Sequence, residues 1–529
     1  MARIGAVLAA VFLAIAAIHP ASAQKHGGIL RMYSIDSPSG MSVLEESTTG
    51  TEVPMMGVFN NLIMFDQHVK QNSLAAIVPD LATAWSWNSD NTALTFTLRQ
   101  GVKWHDGKPF TAKDVVCTWD LLMETGPDKL RINPRKASYR NLDHVSVNGD
   151  FEVTFHLKRP QPAFPMILGS GFSTIYPCHV PAAQMRKHPI GTGPFVFVEY
   201  KQNESIKVAR NPNYWKPGLP YLDGIEYSII RNPATAVLSF VSNAVDMTFP
   251  YDLSVSLLKD VRSQVPEAIC EMVPSGGVNR HLIINRIVPP FDNPELRRAM
   301  ALSLDRKAFI DILTEGEGDI GGVLQPAPAG LWGLPPDQMK DLAGYGTDIA
   351  ANRAEARGIM EKLGYGPGNR LKFKITTRDL RIYRDPAILL MDQLKEIYID
   401  AELDAIELAT YFPRIQRKEY TVGLNLQTSG PDPDPVLELF YGCGSNLNWD
   451  AYCSPETDKL IAQQSMEADP ERRRQLLWTI ERKLAAENVR PILYYSRSAT
   501  CWRPYVKGIT IMVNSVFNGH RYEDVWLDR

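Results

Sequence analysis

The chain contains the stretch Gly101-Val102-Lys103-Trp104-His105-Asp106-Gly107-Lys108-Pro109-Phe110, which lies between an alternating run, Leu94 to Arg99, and the segment Thr111-Ala112-Lys113-Asp114-Val115-Val116. In the alternating run, apolar Leu94, Phe96 and Leu98 are separated by polar residues, which is the pattern of a half-buried strand. Gly101, Gly107 and Pro109 favour turns, and a helix can begin at Thr111. We therefore predict a strand, a tight turn with Trp104 packed beneath it, and a helix.

The rest of the chain divides into a strand-rich half and a mixed half. Val153, Phe155 and Leu157 alternate like a second strand, whereas beyond about residue 290 apolar residues recur at helical spacing behind capping residues. Four predicted helical stripes are expected to face the core: Leu296, Met300 and Leu304 after Asn293-Pro294; Phe309, Ile312 and Leu313 after Asp305; Ile388, Met391, Leu394 and Tyr398; and Leu477, Ile480 and Leu484 after Asp469-Pro470. Because a strand-like run, Leu371 to Ile375, lies among them, we predict that the second half is a mixed α/β lobe. A strand-rich half followed by a mixed half predicts an α/β protein with at least two lobes.

The first 23 residues have the three parts of a secretory signal peptide. Arg3 is basic, Ile4 to Ile18 is almost wholly apolar, and Ala21-Ser22-Ala23 precedes a predicted cleavage before Gln24. A membrane anchor is the alternative, but this apolar run has about fifteen residues and a spanning helix needs about 20. No cysteine stands at the cleavage site, which argues against a lipoprotein anchor. We therefore expect a periplasmic protein.

Charge and motifs argue against several classes of function. Without residues 1–23, the chain has 55 basic and 59 acidic residues, a balance that argues against nucleic acid or an anionic membrane surface as the partner. The sequence has no G-x-S-x-G, H-E-x-x-H or G-x-x-x-x-G-K-[ST] motif. Lone histidines such as His105 are more typical of turns or packing than of catalysis. We expect no catalytic residues, no metal ion and no cofactor.

Six cysteines lie beyond the predicted signal peptide, at positions 117, 178, 270, 443, 453 and 501, and six cysteines allow fifteen pairings. Only Cys443 and Cys453 are close in sequence, and a disulfide between them would contribute roughly 2–3 kcal/mol by loop entropy. We predict that disulfide. The alternative interpretation, a buried free thiol, suits Cys117 within Val115-Val116-Cys117, and the pairing of Cys117, Cys178, Cys270 and Cys501 is left unassigned.

Several segments together resemble the extracytoplasmic solute-binding proteins of ABC importers, family 5, the peptide- and nickel-binding type. The central block comprises Val78-Pro79-Asp80-Leu81-Ala82, Trp85 and the stretch from Leu94 to Val116 described above. Further blocks are Gly191-Thr192-Gly193-Pro194-Phe195, Asn211-Pro212-Asn213-Tyr214-Trp215, Pro290-Phe291 with Asn293-Pro294-Glu295-Leu296-Arg297-Arg298-Ala299, and Leu304-Asp305-Arg306. The blocks follow the family order and span nearly the whole chain after the signal peptide.

This resemblance implies an α/β, two-lobed periplasmic binding protein of type 2, of the large cluster C, with an extra subdomain in the N-terminal lobe. Lobe I would comprise residues 24–275 and the return segment 496–529, and lobe II residues 276–495. A ligand would shift the population toward a closed form by hinge motion. The implied partner is a membrane permease with its ATPase subunits, and we expect a monomer.

The resemblance also implies positions for the ends of a ligand. Arg381 falls where dipeptide binders place the arginine that holds the peptide carboxylate, for which a guanidinium fork is suited. The alternative is a solvated arginine, since Arg378 and Arg384 are neighbours. At Ser429 the peptide-binding relatives carry an aspartate that pairs with the peptide ammonium. Serine has no charge, so a free amino terminus is a less secure expectation.

Other residues of this region are candidates with two interpretations each. Asp432 and Asp434 lie in Pro431-Asp432-Pro433-Asp434-Pro435 and could substitute for the missing aspartate. Trp449 and Tyr411 could wall an apolar pocket or pack beneath the Cys443–Cys453 loop.

The predicted function is the capture of a peptide or peptide-sized organic solute for ABC import, without catalysis. The alternatives are a receptor for a non-peptide anionic solute or for a metal chelate recognised through its organic part, and, among enzymes, an exported hydrolase.

Overall fold

The computed structural model describes residues 24–445 and 447–529, so the predicted signal peptide lies outside the described residues. The strands are β1 Ile29–Ser34, β2 Ile63–Phe65, β3 Ile77–Pro79, β4 Ala82–Trp87, β5 Ala93–Leu98, β6 Leu142–Val147, β7 Glu152–Leu157, β8 Phe195–Lys201, β9 Ser205–Arg210, β10 Gly224–Ile229, β11 Ile269–Ile284, β12 Gly318–Asp319, β13 Leu371–Arg378, β14 Ile399–Ile406, β15 Val422–Thr428, β16 Ile492–Trp502, β17 Val506–Lys507 and β18 Trp526–Leu527. The helices are α1 Thr49–Met55, α2 Ala112–Met123, α3 Phe164–Leu168, α4 Ala182–Met185, α5 Pro233–Val241, α6 Val255–Gln264, α7 Pro294–Leu302, α8 Arg306–Thr314, α9 Pro336–Met339, α10 Ile349–Lys362, α11 Arg381–Lys395, α12 Leu408–Gln416, α13 Pro433–Tyr441, α14 Pro455–Met466 and α15 Pro470–Ala486, with 3₁₀ turns at Leu74–Ala76 and Lys136–Tyr139. Within the described ranges, no helix is long and apolar enough to cross a membrane.

The predicted strand–turn–helix unit is confirmed in lobe I. Strand β5 lies inside the sheet β4-β5-β7-β6, and Asp114 accepts the backbone N–H of Thr111 at 2.9 Å as helix α2 begins. Trp104 is buried beneath the turn. His105 joins the turn to the Gly191–Gly193 loop, because the N–H of Gly191 donates to its Nδ1 at 3.2 Å and its Nε2 lies 3.1 Å from the carbonyl oxygen of Gly193. Burial lowers the pKa of His105 to about 4, in keeping with the expected packing role.

Lobe II is built on one six-stranded sheet of order β12-β16-β11-β15-β13-β14. The predicted caps are confirmed: Asn293 accepts the N–H of Glu295 at the start of α7, and Asp305 accepts that of Ala308 at the start of α8. The prediction that Ile312 and Ile388 face the core is wrong, because their side chains are 63% and 54% exposed. Each lies off the buried face of its helix, since 3.6 residues per turn direct neighbouring positions to different sides.

The two lobes share a pair of long antiparallel strands, β11 and β16. At one end, Val273 and Ala499 belong to the core of lobe I; at the other, Leu282 and Tyr494 belong to the core of lobe II. The pairing register shifts between Pro274 and Asn279, in the middle of the strands. The change from the lobe I core to the lobe II core therefore lies in the same part of the strands as the predicted lobe boundaries, 275/276 and 495/496. The exact boundaries remain predictions.

Three disulfides join the cysteines. Cys443 pairs with Cys453, the pair that sequence proximity favours. The interpretation of Cys117 as a free thiol is wrong, because Cys117 pairs with Cys178. The backbone N–H of Cys178 also donates to Asp114, which lies on α2 together with Cys117, at 2.9 Å. The third disulfide joins Cys270 and Cys501, which face each other across β11 and β16.

Candidate functional site

One edge of the lobe II sheet faces lobe I. Strands β13 and β15 are parallel, so both end at this edge, and the antiparallel strands β11 and β16 pass through it on their way into lobe I. We call this region the cleft edge; it is formed by Gly277, Asn279, Arg378, Ser429 and Tyr495. Ligands of open α/β sheets commonly bind outside the carboxyl ends of strands, which makes the cleft edge the candidate site.

Two loops meet across the cleft edge. Gln71 of lobe I donates from Nε2 to the carbonyl oxygens of Pro328 and Ala329, each at 3.0 Å. In the opposite direction, Gln325 of lobe II donates from Nε2 to the carbonyl oxygen of Val513 at 3.0 Å. The lobes are therefore in contact around the candidate site, as expected of a closed arrangement.

A cavity of about 450 Å³ lies between the lobes beside α13. Lobe I contributes cationic side chains and lobe II acidic ones, and its charged lining residues are Arg140, Lys158, Arg159, Asp434, Glu438 and Asp458. Gln161 donates across the lobes to Asp434 Oδ2 at 3.0 Å, and Arg140 forms an ion pair with Glu438. These contacts connect the extra subdomain of lobe I to the helix that follows the cleft edge.

Ser429 lies in a neutral hydrogen-bonded network. It is 2% exposed, its N–H donates to the carbonyl oxygen of Gly277 at 2.9 Å, and its Oγ lies 3.3 Å from Tyr495 Oη. Tyr495 in turn donates to the carbonyl oxygen of Gly322 at 2.8 Å and accepts from Asn279 Nδ2 at 3.3 Å. Ser429 is thus held firmly at the cleft edge, with no charge among these partners.

The three neighbouring arginines have different surroundings. Arg381 is the first residue of α11; its side chain is 86% exposed and its Nε binds Asp385 at 2.9 Å. Arg384 binds Asp379 at 2.9 Å.

Arg378, at the end of β13, differs from both. It donates from Nη1 to Tyr383 Oη at 2.8 Å and stacks on the Tyr383 ring at 4.8 Å, while its buried Nε–H has no acceptor. Among residues 24–445 and 447–529, no carboxylate forms an ion pair with Arg378. The guanidinium of Arg378 is therefore the one of the three that keeps its charge available at the cleft edge.

Asp432 and Asp434 are both occupied by internal contacts. Asp432 caps α13 and receives both terminal nitrogens of Arg473 at 2.8 Å. Asp434 Oδ2 accepts from Ser465 at 2.9 Å and from Gln161, and burial together with Asp432 raises the pKa of the Asp434 carboxyl. These carboxylates hold α13 in position, and neither presents a free oxygen pair to a ligand.

Trp449 and Tyr411 lie in one hydrophobic cluster inside lobe II. The cluster also contains Ile283, Ile415 and Tyr420. Tyr411 donates from Oη to the carbonyl oxygen of Leu424 at 3.3 Å, whereas Trp449 Nε1 is buried without an acceptor. Of their two interpretations, the contacts match packing beneath the disulfide loop; a ligand role for either residue remains a prediction.

Gln325 and Glu481 are missed by the sequence analysis. Glu481 on α15 accepts the backbone N–H groups of Leu324 at 3.0 Å and Leu334 at 2.6 Å, so it fixes both ends of the loop that carries Gln325. Burial raises the pKa of Glu481 to about 7. The available signal was the sequence Gln325-Pro326-Ala327-Pro328-Ala329-Gly330, in which proline and glycine are typical of a shaped loop. In the part of the chain that the structure describes, no cluster of three or more metal-ligating side chains occurs.

The two-lobed fold and the cleft between its lobes define a solute-binding protein. Residues 76–448 match the family described as bacterial extracellular solute-binding proteins, family 5 Middle, and the chain belongs to that family. It is accordingly a substrate-binding component of the kind that serves ABC transporters.

Known relatives cover nearly the whole chain. Di/tripeptide-binding protein 1 of Pseudomonas aeruginosa is 27% identical over 497 residues, covering 87% of this chain and 88% of the relative. The periplasmic binding protein DppA of Helicobacter pylori, solved with the peptide STSA, has a TM-score of 0.81 at 21% identity, covering 96% of this chain and 99% of that one. The binding protein AgaA of A. tumefaciens R10, solved with agropinic acid, has a TM-score of 0.78 at 21% identity, with 95% and 99% covered.

Proposed function

We propose that this chain is a periplasmic, monomeric receptor that captures a peptide or peptide-sized organic solute between its lobes and delivers it to a membrane permease with ATPase subunits. Similarity to di/tripeptide-binding proteins of Pseudomonas aeruginosa supports the solute class. Lobe I would comprise residues 24–275 and 496–529, lobe II residues 276–495, and β11 and β16 would bend where their register shifts.

The observation that carries the proposed site is the unpaired charge of Arg378. We assign to it, in place of Arg381, the binding of an anionic end of the solute. Arg378 has no carboxylate partner in the described part of the chain and has a buried N–H without an acceptor, whereas Arg381 is exposed and bound to Asp385. Each unused donor of a guanidinium fork is available to a carboxylate.

A non-peptide organic acid is the second candidate solute. The neutral partners of Ser429 favour it, because they offer no counter-ion to a peptide ammonium. The similarity to a protein solved with agropinic acid supports the same candidate. In either case we propose binding without turnover, so incubation with a bound peptide should leave the peptide intact; release of cleavage products would support the exported hydrolase instead.

Native mass spectrometry tests the proposal on protein purified from the periplasm of its source cells. The bound solute is then released and identified. We expect a bound mass corresponding to a peptide or an organic acid with at least one carboxylate. Recovery of a cationic solute or of a bare metal ion, with the chain folded, would contradict the proposed site.

A further inference from the structure

Gln325 presents an unused hydrogen-bond acceptor at the cleft edge. Its side chain is 4% exposed, and its Nε2 is occupied by Val513, but Oε1 is buried with no partner. A Cβ built on Gly277 would lie 3.0 Å from this Oε1 and 3.2 Å from Ser429 Cβ, so the acceptor and Ser429 flank the same glycine. Buried acceptors are nearly always satisfied in native proteins, and an exception next to a binding cleft indicates a missing partner.

The loop holds this acceptor in a fixed position. Glu481 binds the backbone on both sides of it, at Leu324 and Leu334. Gly330 lies directly against Gln325, because a Cβ at Gly330 would come within 1.9 Å of the Gln325 carbonyl oxygen. A group held in this way requires little reorganisation to bind a solute, which lowers the free-energy cost of binding.

The charges near Ser429 do not favour an ammonium. Three buried carboxylates lie in the surrounding elements, and all are occupied: Asp432 by Arg473, Asp434 by Ser465 and Gln161, and Glu481 by the two backbone N–H groups. A cationic group buried at Ser429 would therefore lack a counter-ion.

We propose that Gln325 Oε1 accepts a hydrogen bond from a neutral N–H or O–H group at the end of the solute beside Ser429, so that this receptor selects solutes without a free ammonium at that end. The inference rests on the proposed capture of a peptide-sized solute and specifies the chemistry of one end of it. An acylated peptide amine or an organic acid bearing an amide or hydroxyl has the required group.

The test uses a tripeptide library in free-amine and N-acetylated forms. The mature protein is stripped of endogenous solute by unfolding with its disulfides intact and is then refolded. Mass spectrometry identifies retained peptides, and calorimetry measures the tightest sequence in both forms. Wild-type protein should bind the acetylated form at least as tightly as the free amine, and Gln325→Leu should weaken binding of the acetylated form by about tenfold.

Matched variants distinguish the effect of the Gln325 acceptor on affinity from the effect of the contacts that hold the lobes closed. Gln71→Ala removes a contact to the same loop without removing the acceptor, so it should weaken both peptide forms equally. Ser429→Asp should reverse the preference toward the free amine by about tenfold or more, whereas the neutral isostere Ser429→Asn should not.

A wild-type preference of about tenfold for the free amine would overturn the inference while leaving peptide capture intact. So would an equal loss for both forms in Gln325→Leu, matching Gln71→Ala. Retention of neither form by folded protein would overturn the peptide as the solute. The variants would then be compared with the organic acid that native mass spectrometry identifies, and an equal loss of affinity in Gln325→Leu and Gln71→Ala would overturn the inference.

Discussion

Replacing Arg378 by alanine should weaken binding of a carboxylate solute by roughly ten- to a hundredfold. The Tyr383 hydroxyl occupies only Nη1, so Nε and the second terminal nitrogen remain for a carboxylate. A hydrogen bond to a charged group contributes about 1.5–3 kcal/mol, and 1.4 kcal/mol is about tenfold in affinity. The loss should appear in calorimetry with the solute that native mass spectrometry identifies.

Arg381→Ala is the matched control. Its side chain is solvated and already paired with Asp385, and exposed pairs of this kind contribute about 0–1 kcal/mol, so affinity should change less than about fivefold. Arg378→Lys should recover little, because an ammonium cannot form the two parallel bonds of a guanidinium. If Arg381→Ala lowers affinity as much as Arg378→Ala, or if Arg378→Ala binds like wild type, the assignment of the anionic end to Arg378 is refuted.

Three further outcomes are expected. The raised pKa of Glu481, about 7, means that its contribution to the free energy of unfolding is full below its unfolded pKa and is lost as pH rises through 7. Glu481→Gln should therefore remove about 3 kcal/mol of pH dependence between pH 4.5 and 8 in urea titrations, and an unchanged slope would contradict this. Arg473→Met should destabilise the fold by about 3–5 kcal/mol by leaving Asp432 unpaired, with recovery in the double variant with Asp432→Asn; no recovery would argue against the pair as the cause. Gln161→Ala should remove the closed-form contact to Asp434 and weaken solute binding by about fivefold, with a larger radius of gyration in X-ray scattering at sub-saturating solute; identical scattering would argue against a role in closure.

Local elements of this fold could be predicted from the sequence because their causes are local. The alternation from Leu94 to Leu98 and the caps Asn293 and Asp305 act within a few residues, and the structure contains the corresponding strand and helices. Ile312 and Ile388 show the limit: an apolar side chain at helical spacing does not reveal which face the rest of the protein covers.

The site depends on residues that are far apart in the chain. Ser429 contacts Gly277 and Tyr495, and Gln325 contacts Val513, at separations that no local pattern encodes. The same reason explains the disulfide between Cys270 and Cys501, which meet because the lobe I ends of β11 and β16 pair, far apart in the chain. Similarity in one segment likewise suggested Arg381 as the anion-binding residue. Arg378, the arginine without a carboxylate partner in the described ranges, lies three residues earlier.

The return of the chain to lobe I after lobe II imposes an order on biosynthesis. Asp80 is buried against Arg521, Glu52 against His520, and Asn72 against Asn514, so the first part of lobe I is complete only with the last residues of the polypeptide. A nascent chain emerges from its N-terminus, and until the final segment arrives Asp80 lacks Arg521 and Glu52 lacks the hydrogen bond to His520. A fragment that ends at residue 495 would therefore leave buried polar groups of lobe I without their partners, and it should be degraded faster than the full chain.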